Sequence, residues 1–208
     1  MKMHRTVVGA AVLAASASMF AMPSAQAEAP HGRTTSLAQV LAADGHRFDS
    51  TWGDFDVLDK AVATVLAEKP KSPVGVLAKG RTKLTAFLPT DRAFRELVTT
   101  LTGNEPRTER AAFRSLARAA GVDVIETVLL YHVVPGRTLG SRQVLQADGA
   151  ELATAQGGTV TVRVGETKVR LQDADPDVRN PRVIATDINK GNPQVAHAIN
   201  GVLLPLDV

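Results

Sequence analysis

The chain has no cysteine. That excludes disulfide staples, a thiolate nucleophile and a lipobox cysteine for lipid attachment. Aromatic residues are scarce, with one Trp and one Tyr, which argues against a stacking platform for single-stranded nucleic acid. Catalytic signatures are also missing. There is no Gly-x-Ser-x-Gly elbow and no His-Glu-x-x-His, and no Lys follows Gly157-Gly158 in phosphate-loop register. The histidines at 31, 46, 132 and 197 are not at metal-ligand spacing. Asp173-Ala174-Asp175-Pro176-Asp177 imitates half a calcium loop, but Val178 and Ile184 stand where the turn Gly and the bidentate Glu belong. An acidic surface turn is expected there.

Net charge of one sign is lacking too. The 24 Lys plus Arg face 21 Asp plus Glu. Two of the bases, Lys2 and Arg5, belong to a leader-like start. Val7 to Met22 is apolar but short of the ~20 residues of a spanning helix, and Ala25-Gln26-Ala27 offers small residues to a signal peptidase. Residues 1–27 therefore read as a secretory signal peptide, with the mature chain starting at Glu28 and no integral membrane span after cleavage. Its 22 bases against 21 acids give no footprint for nucleic acid. The remaining 181 of 208 residues are enough to bury a core without staples.

Hydrophobic spacing sets the expected elements. A short helix is predicted over Ser36 to Ala43, ended by Asp44-Gly45. The next opens at Asp54-Phe55-Asp56, with Asp54 or Asp56 capping it, and stops at Lys69-Pro70. A buried strand covers Leu84 to Leu88. Thr90 then caps a helix whose face is Ala93, Phe94, Leu97, Val98 and Leu101. Glu109 to Ala120 forms a helix stopped by Gly121, with Phe113 and Leu116 inward. Asp123 and Glu126 resemble a capping box for a further helix to Tyr131. Ser141 caps a turn through Leu145. Alternation then gives strands at Thr159 to Val164, Lys168 to Gln172, Val183 to Thr186 and Val195 to Leu204. Helices first and strands later mean an α+β domain.

Three blocks stand out in this order: Thr85-Ala86-Phe87-Leu88-Pro89-Thr90-Asp91-Arg92-Ala93-Phe94, Leu129-Leu130-Tyr131-His132-Val133-Val134-Pro135-Gly136, and His197-Ala198-Ile199-Asn200-Gly201-Val202-Leu203-Leu204-Pro205. Together they resemble the fasciclin domain, an extracellular adhesion module, from about Phe55 to Pro205. Leu88 departs from the small residue usual at its place. The resemblance implies a β-wedge of two packed sheets with helices around one side. It divides the chain into a signal peptide (1–27), an N-terminal extension with a short helix (28–53) and one fasciclin-like domain (54–208).

Function follows from that resemblance as an expectation. It is a secreted, non-enzymatic adhesion or binding module at the cell surface or in extracellular matrix, with no cofactor and with an extracellular protein or cell-envelope polymer as partner. Alternatives are an envelope carbohydrate- or lipid-binding module and a secreted hydrolase without a recognisable motif. Tyr131 and His132 match the family's Tyr-His pair; the same residues at a helix end can simply bond backbone. Asp187 and Ile188 match an Asp-Ile dipeptide implicated in integrin binding in animal relatives. Here Thr186 replaces the usual Pro and Asn192-Pro193-Gln194 replaces the usual lead into the last strand. The chain has no Arg-Gly-Asp, and its Ala, Arg and Val bias points to a high-GC bacterium. Asp187 is expected in a polar loop where its loss costs little stability, and Phe87, Phe94, Leu130, Val133, Ile199, Val202 and Leu203 are expected in one core.

Overall fold

The computed structural model describes residues 34–205. The signal-peptide reading of residues 1–27 and the start at Glu28 lie outside them. Helix α1 (Leu37–Leu41) opens with a reciprocal cap between Ser36 and Gln39, then tightens into a 3-10 turn ended by left-handed Gly45. Its Leu37 and Leu41 are buried in the core. Helix α2 (Asp56–Glu68) buries Val57, Leu58, Ala61, Val62 and Val65 on one face.

The caps differ from the expected ones. Neither Asp54 nor Asp56 caps α2. The carboxylate of Asp91, first residue of α3 (Asp91–Thr102), accepts from the amides of Asp56 at 3.1 Å and Val57 at 2.9 Å. Thr90 stands at the N-cap of α3 without a side-chain bond. Helix α4 (Glu109–Tyr131) joins the two helices expected on either side of Gly121, which breaks the helical path at φ 72°, ψ 170°. Only glycine takes that backbone without strain. Asp123 and Glu126 make no capping box; both accept from Lys69 Nζ, tying α2 to the second half of α4.

The strands form two sheets. The four-stranded sheet runs β2 (Val133–Pro135), β1 (Leu84–Pro89), β7 (Gln194–Ile199), β6 (Val183–Ile188), with β1 and β7 parallel and the other pairs antiparallel. The three-stranded sheet is antiparallel: β3 (Glu151–Ala153), β4 (Thr159–Val164), β5 (Val169–Gln172). Helix α5 (Ser141–Leu145) lies between β2 and β3 in the chain. The last strand stops at Ile199 rather than Leu204, while β2 and β3 are additions that periodicity did not reveal.

The seven residues expected in one core divide between two. Phe94, Val133 and Val202 join the helices and one face of the larger sheet, with Leu130 only half-buried at the margin. Phe87, Ile199 and Leu203 pack with Tyr131, Val160, Val162 and Leu171 between the sheets. The division follows from period two: Leu84, Ala86 and Leu88 of β1 face the helices, whereas Phe87 faces the other sheet. A strand covered on both faces reads as one continuous apolar run.

Gln194 fastens the N-terminal segment to this frame. Fully buried, it accepts from Leu37 N at 2.8 Å and donates to the carbonyls of Val76 and Lys79 at 2.9 Å. Gly80 lets that segment pass, because a Cβ there would lie 1.8 Å from Thr34 O.

Candidate binding surfaces

Tyr131 and His132 lie where α4 ends and β2 begins, and both face inward. Tyr131 Oη donates to Thr159 O at 2.6 Å, and the residue is 1% exposed. His132 Nδ1 meets Val128 O at 2.7 Å while Leu203 N donates to Nε2 at 2.9 Å. These partners fix a neutral ring protonated on Nδ1. Burial pushes His132 down to about 4, and the bond to Val128 opposes this only in part. Burial pushes the Tyr131 phenol up. The polar atoms of the pair are committed to backbone.

Asp187 is in β6, not a polar loop. It adopts φ 63° at an irregularity in the β6–β7 register. Its carboxylate accepts from Ser141 N at 2.6 Å, Ser141 Oγ at 2.8 Å and Lys190 Nζ at 2.9 Å. Lys190, then the Ser141 amide and hydroxyl, hold it down at about 2. Gly140, not Ser141, is the N-cap of α5, and Asp187 supplies the acceptor there. Ile188 packs half-buried against the helix-side core. Nearby, His197 Nε2 bonds Leu139 O at 2.8 Å, and burial lowers its pKa. The Asp173–Asp177 turn is likewise built in. Asp175 is buried and accepts from the amides of Asp177 and Val178, and Asp173 accepts from Leu204 N. Burial raises Asp173 to about 6.

Among the described residues, the helix side carries a groove that sequence reading did not find. It is a cavity of about 390 Å³ walled by α2, α3 and both halves of α4. Phe113 and Leu116, expected inward, line it half-buried, and Leu101 and Val124 on its rim are each 42% exposed. The signal was available: α4 carries more apolar residues than one core stripe needs. His132 is its one titratable lining residue, with both ring nitrogens already bonded.

Carboxyl groups gather where three helices begin. One oxygen each from Asp49, Asp54, Asp56 and Glu109 lie within 4.8 Å of one another, a span that a hard, oxygen-liganded cation can bridge. Glu109 and Asp91 are fully buried. Asp49 N donates to Glu109 Oε2 at 2.6 Å and to Asp56 Oδ2 at 3.1 Å. Burial, then a carboxyl–carboxyl bond with Asp54, raises the Asp91 pKa, and burial raises that of Glu109. Sequence spacing gave no sign of the group, because it joins the segment leading into α2 to the distant starts of α3 and α4.

The fasciclin-domain family model matches residues 61–205. The chain belongs to the fasciclin family. A structure search finds a FAS1 domain pair from the insect cell adhesion molecule fasciclin I, at TM-score 0.54 and 12% identity. The alignment covers 82% of this chain and 51% of that one, so the chain spans about half the length of the pair. No curated protein matches.

The fasciclin fold of two packed sheets with helices is thus established, and fasciclin domains are generally non-catalytic adhesion and binding modules, typically extracellular or surface-associated. Among the described residues, no helix is long and apolar enough to cross a membrane. The structure places Tyr131-His132 and Asp187-Ile188 at separate points, with the polar side chains of both engaged internally.

Proposed function

We propose that this fasciclin protein is exported and acts at the cell surface or in extracellular matrix as a non-enzymatic binding module. Its partner is an extracellular protein or an envelope polymer. The observation that supports this is the placement of the polar side chains in the signature blocks. Thr85, Asp91, His132 and His197 bond backbone inside the fold, as a scaffold requires. A hydrolytic site instead needs a nucleophile and base converging on open space. Export is tested by N-terminal sequencing of culture supernatant: a start at Glu28 is expected, and a retained Met1 in the membrane fraction overturns it. Binding is tested by retention of the purified protein on native envelope; no saturable retention refutes it.

The groove favours one second reading, an envelope lipid module. A wall built almost wholly of apolar side chains, in the volume range of ligand pockets, suits an acyl chain. It does not suit a carbohydrate, which needs several convergent polar groups. A fluorescent fatty acid should bind the protein and be lost on Leu101→Glu at the rim. Unchanged binding in that variant refutes this reading.

A further inference from the structure

The outer face of the smaller sheet carries arginines in register. Arg163 on β4 is directly opposite Arg170 on β5, and Arg170 bridges in turn to Arg182, just before β6. Val162, Val169 and Leu171 point into the core while Arg163 and Arg170 are exposed, so these two face outward, and Arg182 lies half-buried at the end of the row. With strands about 4.8 Å apart, it extends roughly 10 Å across the sheet.

Like charges directly opposite destabilise a strand pair, and the fold supplies little compensation. Among the described residues, none of Arg163, Arg170, Arg182 or the flanking Lys168 and Arg179 forms an ion pair. Arg163 Nε donates to the neutral Gln172 Oε1 at 3.0 Å. Arg182 Nε is shut off from solvent with no hydrogen-bond partner. Two hollows flank the row, and Arg170 lines both. One, of about 450 Å³, adds Arg163 and Lys168; the other, of about 390 Å³, adds Arg179. Against the four bases that line them, the hollows bring only Glu166 and Asp177.

We propose that this face binds a linear polyanion, a polymer bearing phosphate or carboxylate groups along its length. Guanidinium forks pair such groups bidentately. Two exposed forks in register, with Lys168 and Arg179 beside them, suit successive charges on one chain better than a single anion. The mature protein is nearly neutral overall, so the attraction belongs to this face and not to net charge. A bilayer is the poorer occupant, because Thr161, Thr167, Gln172 and Asn180 surround the row and, among the described residues, Ile184 is the one large apolar side chain near it that is mostly exposed. The site shares no residue with the groove, so it stands or falls independently of the lipid reading.

Immobilised polyphosphate is the probe, with the full secreted chain in solution. Saturable binding is expected, weakened tenfold or more by Arg163→Gln/Arg170→Gln. The slope of log affinity against log salt should fall by roughly 0.7 per lost contact. The melting temperature of the double variant should hold or rise, because repulsion is relieved. Arg142→Gln, an exposed arginine elsewhere, should bind as the parent does. The proposal is overturned by an absence of saturable binding, an equal loss in Arg142→Gln, or a lower melting temperature in the double variant. Competition by orthophosphate as strong as by polyphosphate would also overturn it, as would tighter binding to phosphatidylglycerol vesicles.

Discussion

Replacing His132 by Ala should destabilise the protein at neutral pH and leave a pH signature that a surface histidine cannot give. The residue is 4% exposed, and its ring joins the end of α4 to Leu203 through bonds of 2.7 and 2.9 Å. Without Nε2, the Leu203 amide is buried and unpaired, at about 1–3 kcal/mol, and the vacated ring volume adds to that cost. The pH dependence follows from linkage. The unfolded chain takes up the proton near 6.5, whereas the folded ring resists until about 4. His132 therefore favours the native state fully above pH 6.5, and this advantage is lost as pH falls toward 4. At about 1.4 kcal/mol per unit, the loss is roughly 3 kcal/mol.

Other groups titrate in that window: Asp91 and Asp173, with raised pKa values, favour the native state as pH falls. Subtracting the variant's unfolding free energy from the parent's removes their contributions, since they are common to both proteins. The assay is urea unfolding of both proteins at intervals from pH 7 to pH 4. A stability gap of a few kcal/mol that closes as the solution is acidified is expected. A gap that stays constant would refute the buried, neutral ring. A variant of parental stability that no longer binds envelope would make His132 a contact residue instead of part of the frame.

Asp187→Ala should cost about 1–3 kcal/mol through the Ser141 amide and hydroxyl it leaves unpaired, read as a lower midpoint in urea; a shift within 0.5 kcal/mol, usual for surface changes, would restore the loop reading. Gln194→Ala should lower stability by at least a similar amount and raise hydrogen exchange at the Leu37 amide, which loses its acceptor; unchanged exchange there would show that Gln194 does not hold the segment. Asp91→Asn should flatten the pH profile. A carboxyl whose pKa is raised on folding favours the native state below its unfolded range near 4 and loses that advantage as pH rises, so melting temperatures from pH 5 to 8 should fall less steeply in the variant than in the parent.

What could be read from the chain was what depends on local spacing. The α2 stripe of Val57, Ala61 and Val65, the Gly121 break and the alternation of Val160 and Val162 each follow from neighbours a few residues apart, and each is present. What was missed depends on distant partners. Asp91 looked like part of its own helix start, yet it caps α2. Asp187 looked like a loop residue because Gly and Asn follow it, and only the fold shows Ser141 beside it. The arginine row was invisible for the same reason. Arg163 and Arg182 lie 19 residues apart and meet through Arg170 only once the strands are in register.

The three signature blocks show why family and fold were legible while the candidate surfaces were not. The first and third pair as parallel strands β1 and β7, and Thr90 N donates to Ile199 O at 3.2 Å. The first and second join through Phe87 N to His132 O at 3.0 Å, and the second and third through Leu203 N to His132 Nε2 at 2.9 Å. Each block is thus bonded to both others, and the resemblance records the seam that closes the domain. Residues that close a seam have few polar atoms left to offer a partner. The groove rim at Leu101 and Val124 and the row through Arg170 lie outside all three blocks. A fasciclin domain built this way can change what it binds without disturbing the bonds that make it recognisable, so the sequence announces the scaffold and leaves the partner to surfaces that only the folded chain assembles.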